Sequence, residues 1–370
     1  MRQLDIKPVL HLYHNCVDFI TDFAVGKGDL VLTNKLIFKP YFGELNIGAD
    51  VVFQEQYGQG EPTDEMAEAI LADLTGSYKR IFAIGGGTVI DLAKLFALRK
   101  ASPVLDLFDR KRDLVRDKEL VLVPTTCGTG SEMTNISILD STTRRTKIRL
   151  EAKELFADDA VLIPQLLEGL PYRVFAAGSI DALIHAVESF VSPRASPYTR
   201  LFAKEAITTI LRGYRTLARD GEIARVPLLE DFLIASNYAG ISFGNAGAGA
   251  VHALSAPLGS AFQIPHGEAN YALFTTVFAA YLGKKNSGAI ARLGSILAAA
   301  LGCEGKDTQA SLASLLEKIL PLKPLREYGV SAADLHDFTD EVMSTQCLLL
   351  ENGFVSLTEE DVLGIYQACL

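Results

Sequence analysis

Up to Pro164 the chain alternates between two kinds of segment, and after it the alternation stops. The apolar runs DLVLT (29–33), ADVVF (49–53), RIFAI (80–84) and ELVLV (119–123) are separated by amphipathic stretches. A strand that is apolar on both faces must be covered on both faces. Helices crossing between parallel strands provide that cover, so the pattern predicts a doubly wound parallel sheet. Residues 62–74 predict one crossing helix, with Pro62 at its start and Asp64 and Glu65 near the positive end of its dipole. TNISIL, TKIRL and DDAVLI, between 134 and 163, predict three shorter strands that extend or cover the sheet. Beyond Pro164 the segments 172–191, 199–218, 230–243, 246–256, 267–282, 287–301, 308–319, 332–350 and 359–368 carry helical periodicity, with turns marked by Pro, Gly and Asn. The expected architecture is an α/β domain over 1–164 followed by an all-helical domain over 165–370. A chain of 370 residues is long enough for both to own a core.

Composition narrows the function classes. With 49% hydrophobic and 22% charged residues the chain is globular, and its formal net charge of −10 offers no general basic face. Neither a nucleic-acid nor a membrane partner is expected. The local basic cluster Arg144, Arg145, Lys147 and Arg149 reads as the solvated edge of a hairpin. Five cysteines, an odd number without a CxxC pair, suggest neither a disulfide framework nor a cysteine zinc site. That usage fits a reducing compartment, and the first residues lack the apolar core of a secretory signal, so a cytoplasmic location is expected. From Phe232 to Gly267 there is no Asp, Glu, Lys or Arg. Asn, His, Pro and Gly interrupt this stretch, which makes it a buried, closely packed interior rather than a membrane span.

Two loops carry the first chemistry. RIFAI runs into Gly85-Gly86-Gly87-Thr88 and then into the helical VIDLAKLFAL. Side-chain-free glycines let a pyrophosphate approach the backbone, and the start of the helix offers N–H groups and partial positive charge. The spacing is not GxGxxG. The same residues could instead close a tight turn, with Thr88 as helix cap and Asp91 as its capping-box partner. The second loop, PTTCGTGSE (124–132), directly follows ELVLV. Ligands bind outside the carboxyl ends of parallel strands, so the two loops together favour a dinucleotide. Cys127 within the second loop reads as a small buried filler rather than a nucleophile.

The second chemistry lies among the helices. AGSIDALIHAVESFVS is apolar around most of its circumference, yet it places Asp181 and His185 one turn apart on one face. A buried carboxylate needs a partner, which a hydrogen-bonded imidazole or a metal ion can supply. His252 and His266 fall in the charge-free interior, so three of the six histidines accompany one acid. One oxygen and three nitrogen donors suit Fe(II) or Zn(II) rather than calcium or magnesium. His11, His14 and His336 read as incidental.

GGGTVIDLAK (85–94), PTTCGTGSE (124–132), SIDALIHAVESFVS (179–192) and VHALSAPLGSAFQIPHGEAN (251–270) resemble, in this order, the motifs of the iron-containing alcohol dehydrogenase family. The resemblance implies a dehydroquinate-synthase-like fold with a cleft between its two domains. It matches Asp181, His185, His252 and His266 to the metal ligands, and Gly86, Gly87, Thr88, Thr125, Thr126, Thr129 and Lys147 to cofactor-contacting positions. SNYAGISFGNAGAGAVHALS and KPLREYG are most similar to the members that interconvert 4-hydroxybutyrate and succinate semialdehyde. A homo-oligomer acting on a small alcohol or aldehyde is expected, with the metal as Lewis acid and the hydride passing to or from a nicotinamide. A neutral primary alcohol or diol is the alternative substrate, and an Asp/His metallohydrolase or lyase the alternative class.

Three positions depart from the family pattern. Ala256 stands where a histidine implicated in proton transfer is usual, so the resemblance names no catalytic side chain. Asn34 stands where many members place an Asp that binds the adenosine ribose and repels a 2′-phosphate; NAD is expected, but no charge at 34 excludes NADP. The NPR-like segment before the last helix is missing.

Overall fold

The structure, a computed structural model, describes residues 3–144 and 146–370, so Arg145 of the basic cluster lies outside the described residues. The chain parts into two compact units, Ile6–Leu170 and Pro171–Leu370, the second joined by the described part of Met1–Asp5.

The first unit contains β1 (Val9–Leu12), α1 (Cys16–Asp22), β2 (Asp29–Thr33), α2 (Lys35–Phe42), β3 (Asp50–Phe53), α3 (Asp64–Asp73), β4 (Arg80–Gly85), α4 (Gly87–Phe96), α5 (Val104–Phe108), β5 (Glu119–Pro124), β6 (Ile136–Ser141), β7 (Thr146–Glu151) and β8 (Asp159–Leu162). Six strands form one sheet in the order β1-β8-β5-β4-β2-β3, every neighbour pair parallel. Of the four apolar runs expected to be covered on both faces, β2, β4 and β5 are buried along nearly their whole length, whereas β3, at the sheet edge, is only partly buried. On one face Leu30, Leu32, Ile81, Ala83, Leu120 and Leu122 pack under α3 and α4, a core to which each buried aliphatic side chain contributes roughly 1.5–3 kcal/mol.

The three short strands divide. DDAVLI supplies β8, which enters the sheet between β1 and β5, whereas β6 and β7 form a separate antiparallel hairpin. The described members of the basic cluster lie on that hairpin and are paired: Arg144 with Asp109 at 2.6 Å, Arg149 with Glu151 at 2.7 Å and Lys147 with Glu61 at 3.5 Å. The crossing helix α3 starts two residues after Pro62, because the Thr63 hydroxyl caps it by accepting from the Met66 N–H at 3.0 Å.

From β2 the chain moves outward to β3, and from β4 it moves the other way to β5. The order therefore reverses between β2 and β4, and the carboxyl ends of these strands are where a doubly wound sheet opens to a ligand. Asn34 follows β2, Gly86 follows β4 and Thr125 follows β5's last apolar residues.

The second unit is helical: α6 (Tyr172–Val191), α7 (Pro197–Asp220), α8 (Leu229–Ala246), α9 (Ala250–Phe262), α10 (His266–Lys284), α11 (Ala289–Leu301), α12 (Thr308–Ile319), α13 (Asp334–Thr345), α14 (Cys347–Glu351) and α15 (Glu359–Cys369). α6 is long and apolar enough to cross a membrane, but it is buried inside the unit as its central helix. The charge-free stretch forms most of α8 and all of α9. Two expected boundaries move. α9 continues through Pro257, which is buried within it, to Phe262. The segment 332–350 breaks at Gln346 into α13 and α14.

Candidate metal centre and nucleotide cradle

Within the α/β unit, Gly86 caps α4 without any side chain and Gly87 begins the helix. The first amides of a helix have no partner inside it, so this turn presents N–H donors beyond the end of β4. A side chain would clash at Gly85 and be crowded at Gly87. A Cβ on Gly85 would lie 2.5 Å from Val89 Cβ, and one on Gly87 3.1 Å from Thr129 Cγ2. The second loop is packed against the first: the Thr125 N–H donates to Gly85 O at 3.1 Å, and Thr126 Cγ2 faces the space a Gly86 Cβ would take. Sequence reading placed Gly86, Gly87, Thr88, Thr125, Thr126 and Thr129 together, and they are together. Lys147 stands on β7, paired with Glu61 as described above.

The capping-box alternative fails for a specific reason. Thr88 lies inside α4, its hydroxyl donating to Gly60 O at 2.9 Å. Asp91 is engaged elsewhere, accepting from the Ser131 hydroxyl at 2.6 Å and from the Ile138 N–H at 3.0 Å. Beside it, the fully buried Lys94 donates to Ser131 Oγ at 2.7 Å, Thr134 Oγ1 at 3.1 Å and Ile136 O at 2.6 Å, with Asp91 Oδ1 3.5 Å away. Burial pushes the Lys94 amine down, while the neighbouring Asp91 and Glu132 carboxylates oppose that shift. This network ties α4 to the second loop and to β6.

Asn34 does not cap α2 with its side chain. Its amide donates instead to Gln54 Oε1 and Glu55 Oε2, both at 3.1 Å, while Glu55 Oε1 accepts from the Lys35 N–H at 2.8 Å. The charge that position 34 lacks is thus present beside it, supplied from the end of β3.

Within the helical unit, α6 places Asp181, His185 and Glu188 along one stripe, α9 carries His252, and α10 opens with His266. Asp181, His185, His252 and His266 each offer a ligand atom, and these atoms lie within 4.8 Å of one another. His252 Nε2 is 2.9 Å from His185 Nε2 and 3.7 Å from Asp181 Oδ1, and His266 Nε2 is 3.9 Å from Asp181 Oδ1. Four donors around an ion with bonds of about 2.1 Å stand about 3.4 Å apart, so the spacing and the N/O chemistry of the set fit one divalent ion. The Asp181, His185 and His252 side chains are 3%, 6% and 9% exposed, and His266 is 39% exposed, so the set is reached from the His266 side.

Residues 18–164 match the iron-containing alcohol dehydrogenases, and residues 175–370 match the C-terminal part of the Fe-containing alcohol dehydrogenase family. The chain belongs to the iron-containing alcohol dehydrogenase family.

It is 47% identical over 368 residues to a 4-hydroxybutyrate dehydrogenase of Clostridium kluyveri, covering 99% of both chains. It is 35% identical to long-chain-alcohol dehydrogenase 1 of Geobacillus thermodenitrificans, over 93% of this chain and 89% of that one. The fold matches the crystal structure of sulfoacetaldehyde reductase from Bifidobacterium kashiwanohense in complex with NAD+, with a TM-score of 0.84, 19% identity, and 100% and 99% of the two chains covered. This chain is therefore a metal-dependent alcohol dehydrogenase.

In this dehydrogenase, burial alone would raise the Asp181 carboxyl, but the charge of the three imidazoles and the Asn270 amide outweigh it and hold the group below the ordinary carboxylate value. Sequence reasoning missed three side chains that secure the donor set. Asn270 Nδ2 donates to Asp181 Oδ1 at 2.7 Å. Glu188, buried, accepts from the Gly249 N–H at 2.9 Å and the Val251 N–H at 2.7 Å, and lies 2.6 Å from His252 Nδ1. Asn352, in the region where the NPR-like segment is missing, donates to Ala246 O and Ala248 O at 2.9 and 2.7 Å and so pins the link between α8 and α9. Asn270 and Glu188 each stand one helical turn from a proposed ligand, His266 and His185, a signal that could have marked them.

Proposed function

We propose that this dehydrogenase interconverts 4-hydroxybutyrate and succinate semialdehyde with NAD, and that Asp181, His185, His252 and His266 hold its ion, Fe(II) or Zn(II). The convergence of those four side chains carries the metal assignment. The full-length 47% identity to a 4-hydroxybutyrate dehydrogenase supports the substrate. With the ion and NAD bound, the metal supplies Lewis acidity to an alcohol oxygen and the nicotinamide supplies the hydride acceptor. The protein's part is positioning. Phe243 lies flat on His185 with ring centroids 4.2 Å apart, which fixes the plane of that imidazole. Asn270 holds the Asp181 carboxylate by the hydrogen bond already given, and the partly exposed His266 faces the approach of substrate.

Gly86, Gly87 and Thr88 present backbone donors for the pyrophosphate, Thr125, Thr126 and Thr129 add hydroxyls beside them, and to Lys147, on β7, we assign a further contact as a cation. At the adenosine ribose we assign the repelling charge to Glu55, held by Asn34 and the Lys35 amide. A carboxylate there accepts from ribose hydroxyls and disfavours a 2′-phosphate. NADH is expected to bind at least about tenfold more tightly than NADPH, and Glu55→Gln to remove most of that difference, as the loss of one close charge repulsion would. Nicotinamide fluorescence titrations check this; equal affinities in the unmutated protein contradict it.

A site that binds the substrate carboxylate leaves its polar groups unsatisfied when the carboxylate is missing. The specificity constant for 4-hydroxybutyrate should therefore exceed that for 1-butanol by about a hundredfold or more. Initial-rate measurements with both alcohols decide it. Similar constants would transfer the proposal to neutral alcohols, the substrates for which the 35% identical relative is named.

A further inference from the structure

We propose that Glu188 is a positioning residue that sets both the tautomer of His252 and the start of α9, so that one buried carboxylate couples a ligand to the helix carrying it. The inference rests on the ligand assignment above and goes beyond it. Glu188 is 2% exposed, and each of its oxygens faces a backbone donor: Oε2 the Gly249 N–H and Oε1 the Val251 N–H. With N–H groups on both sides, the carboxylate acts as acceptor. The 2.6 Å contact with His252 Nδ1 therefore requires the proton of a neutral imidazole to sit on Nδ1. Nε2 then carries the lone pair, and Nε2 is the atom that faces His185 and Asp181. Only a nitrogen with its lone pair free can bind a metal ion.

The same oxygens close the N-terminus of α9. Gly249 precedes the helix and Val251 is its second residue, so Glu188 satisfies N–H groups that the helix itself leaves unpaired. The packing there is tight: a Cβ on Gly249 would lie 3.0 Å from Glu188 Oε1. Glu188 sits three residues beyond His185 on α6, so α6 holds α9 and orients its ligand through a single group.

The test uses the full-length protein, stripped of metal and titrated with Zn(II) against a chromophoric chelator. Glu188→Gln has an NH2 that must face at least one of the donors now met by the carboxylate. It is expected to weaken Zn(II) binding about 10–100-fold and to speed release to the chelator. Hydrogen exchange at the Gly249 and Val251 amides should accelerate in the same variant. Unchanged Zn(II) affinity overturns the inference, with or without faster exchange, since faster exchange alone describes only a helix cap. If the unmutated protein fails to bind Zn(II), the ligand assignment falls and takes this inference with it. Should the variant not fold, 15N resonances of histidine in the Zn(II)-loaded unmutated protein give the answer, His252 being identified by its loss in His252→Gln. A proton on Nδ1 supports the coupling and a proton on Nε2 overturns it.

Discussion

Alanine at His252 should lower kcat/KM for alcohol oxidation by about a thousandfold or more and leave the purified protein with little bound metal. His252 is the donor whose Nε2 approaches both His185 and Asp181, so its loss opens the centre of the set rather than its rim. A Lewis acid lost from an alcohol oxidation costs several kcal/mol of transition-state stabilisation, and each 1.36 kcal/mol is a factor of ten. The effect should be separable from unfolding. The proposed NADH site is the glycine turn of the α/β unit, so NADH binding should persist within a few-fold when measured by fluorescence. Metal analysis after gel filtration, together with steady-state rates, checks the prediction. Wild-type metal content and turnover in the variant would sink the ligand assignment.

A second large effect is expected within the α/β unit. Asp91→Ala should destabilise the protein by about 3–5 kcal/mol, because it leaves the ammonium of Lys94, which has no exposure at all, without its nearest countercharge. The Ser131 hydroxyl and the Ile138 amide lose their acceptor in the same step. Replacing both members, Asp91→Leu with Lys94→Met, should recover part of the loss, since it removes the buried charge but leaves the Ser131, Thr134 and Ile136 partners of the pair unmet. Urea unfolding of the three proteins, followed at the first transition, measures both numbers. If the single variant loses less than about 1 kcal/mol, the network is not holding α4 against the second loop.

The sheet was legible where burial is total and obscure where it is not. β2, β4 and β5 announce themselves as uninterrupted apolar runs because no face of them meets water. β1 does not: it is an edge strand pairing only with β8, and Val9, Leu10 and Leu12 are 58%, 46% and 45% exposed, so no pattern marks VLHL as a strand. Helix ends failed where local rules met long-range demands. Pro257 normally argues for a stop, but its ring is buried inside α9 and packing outweighs the lost hydrogen bond. Asp91 stands at capping-box spacing from Thr88, yet Ser131 and Ile138 claim its carboxylate from forty and more residues away.

The site divides in the same way. Asp181 and His185 could be paired from helical spacing, and His252 and His266 could be added from their setting in a charge-free interior. Glu188 shares their helical face, but its role could not be read, because its partners lie more than sixty residues further along the chain. Asn34 looked like the loss of a charge, yet the Glu55 carboxylate stands beside it, a shift of the charged group from the end of β2 to the end of β3. That shift depends on the parallel pairing of β2 with β3, which brings the ends of two strands together.

Asp181, His185, His252 and His266 come from α6, α9 and α10, so an ion shared among them would clasp α6 to a helix pair that the backbone reaches only after the whole of α7 and α8. Chelation would then remove a brace as well as a reagent. A ligand at a hundred times its dissociation constant adds about 2.7 kcal/mol to the folded form. The enzyme's tolerance of heat and of proteases would accordingly follow the metal supply of its surroundings, and starvation for metal would be felt as turnover of the protein itself.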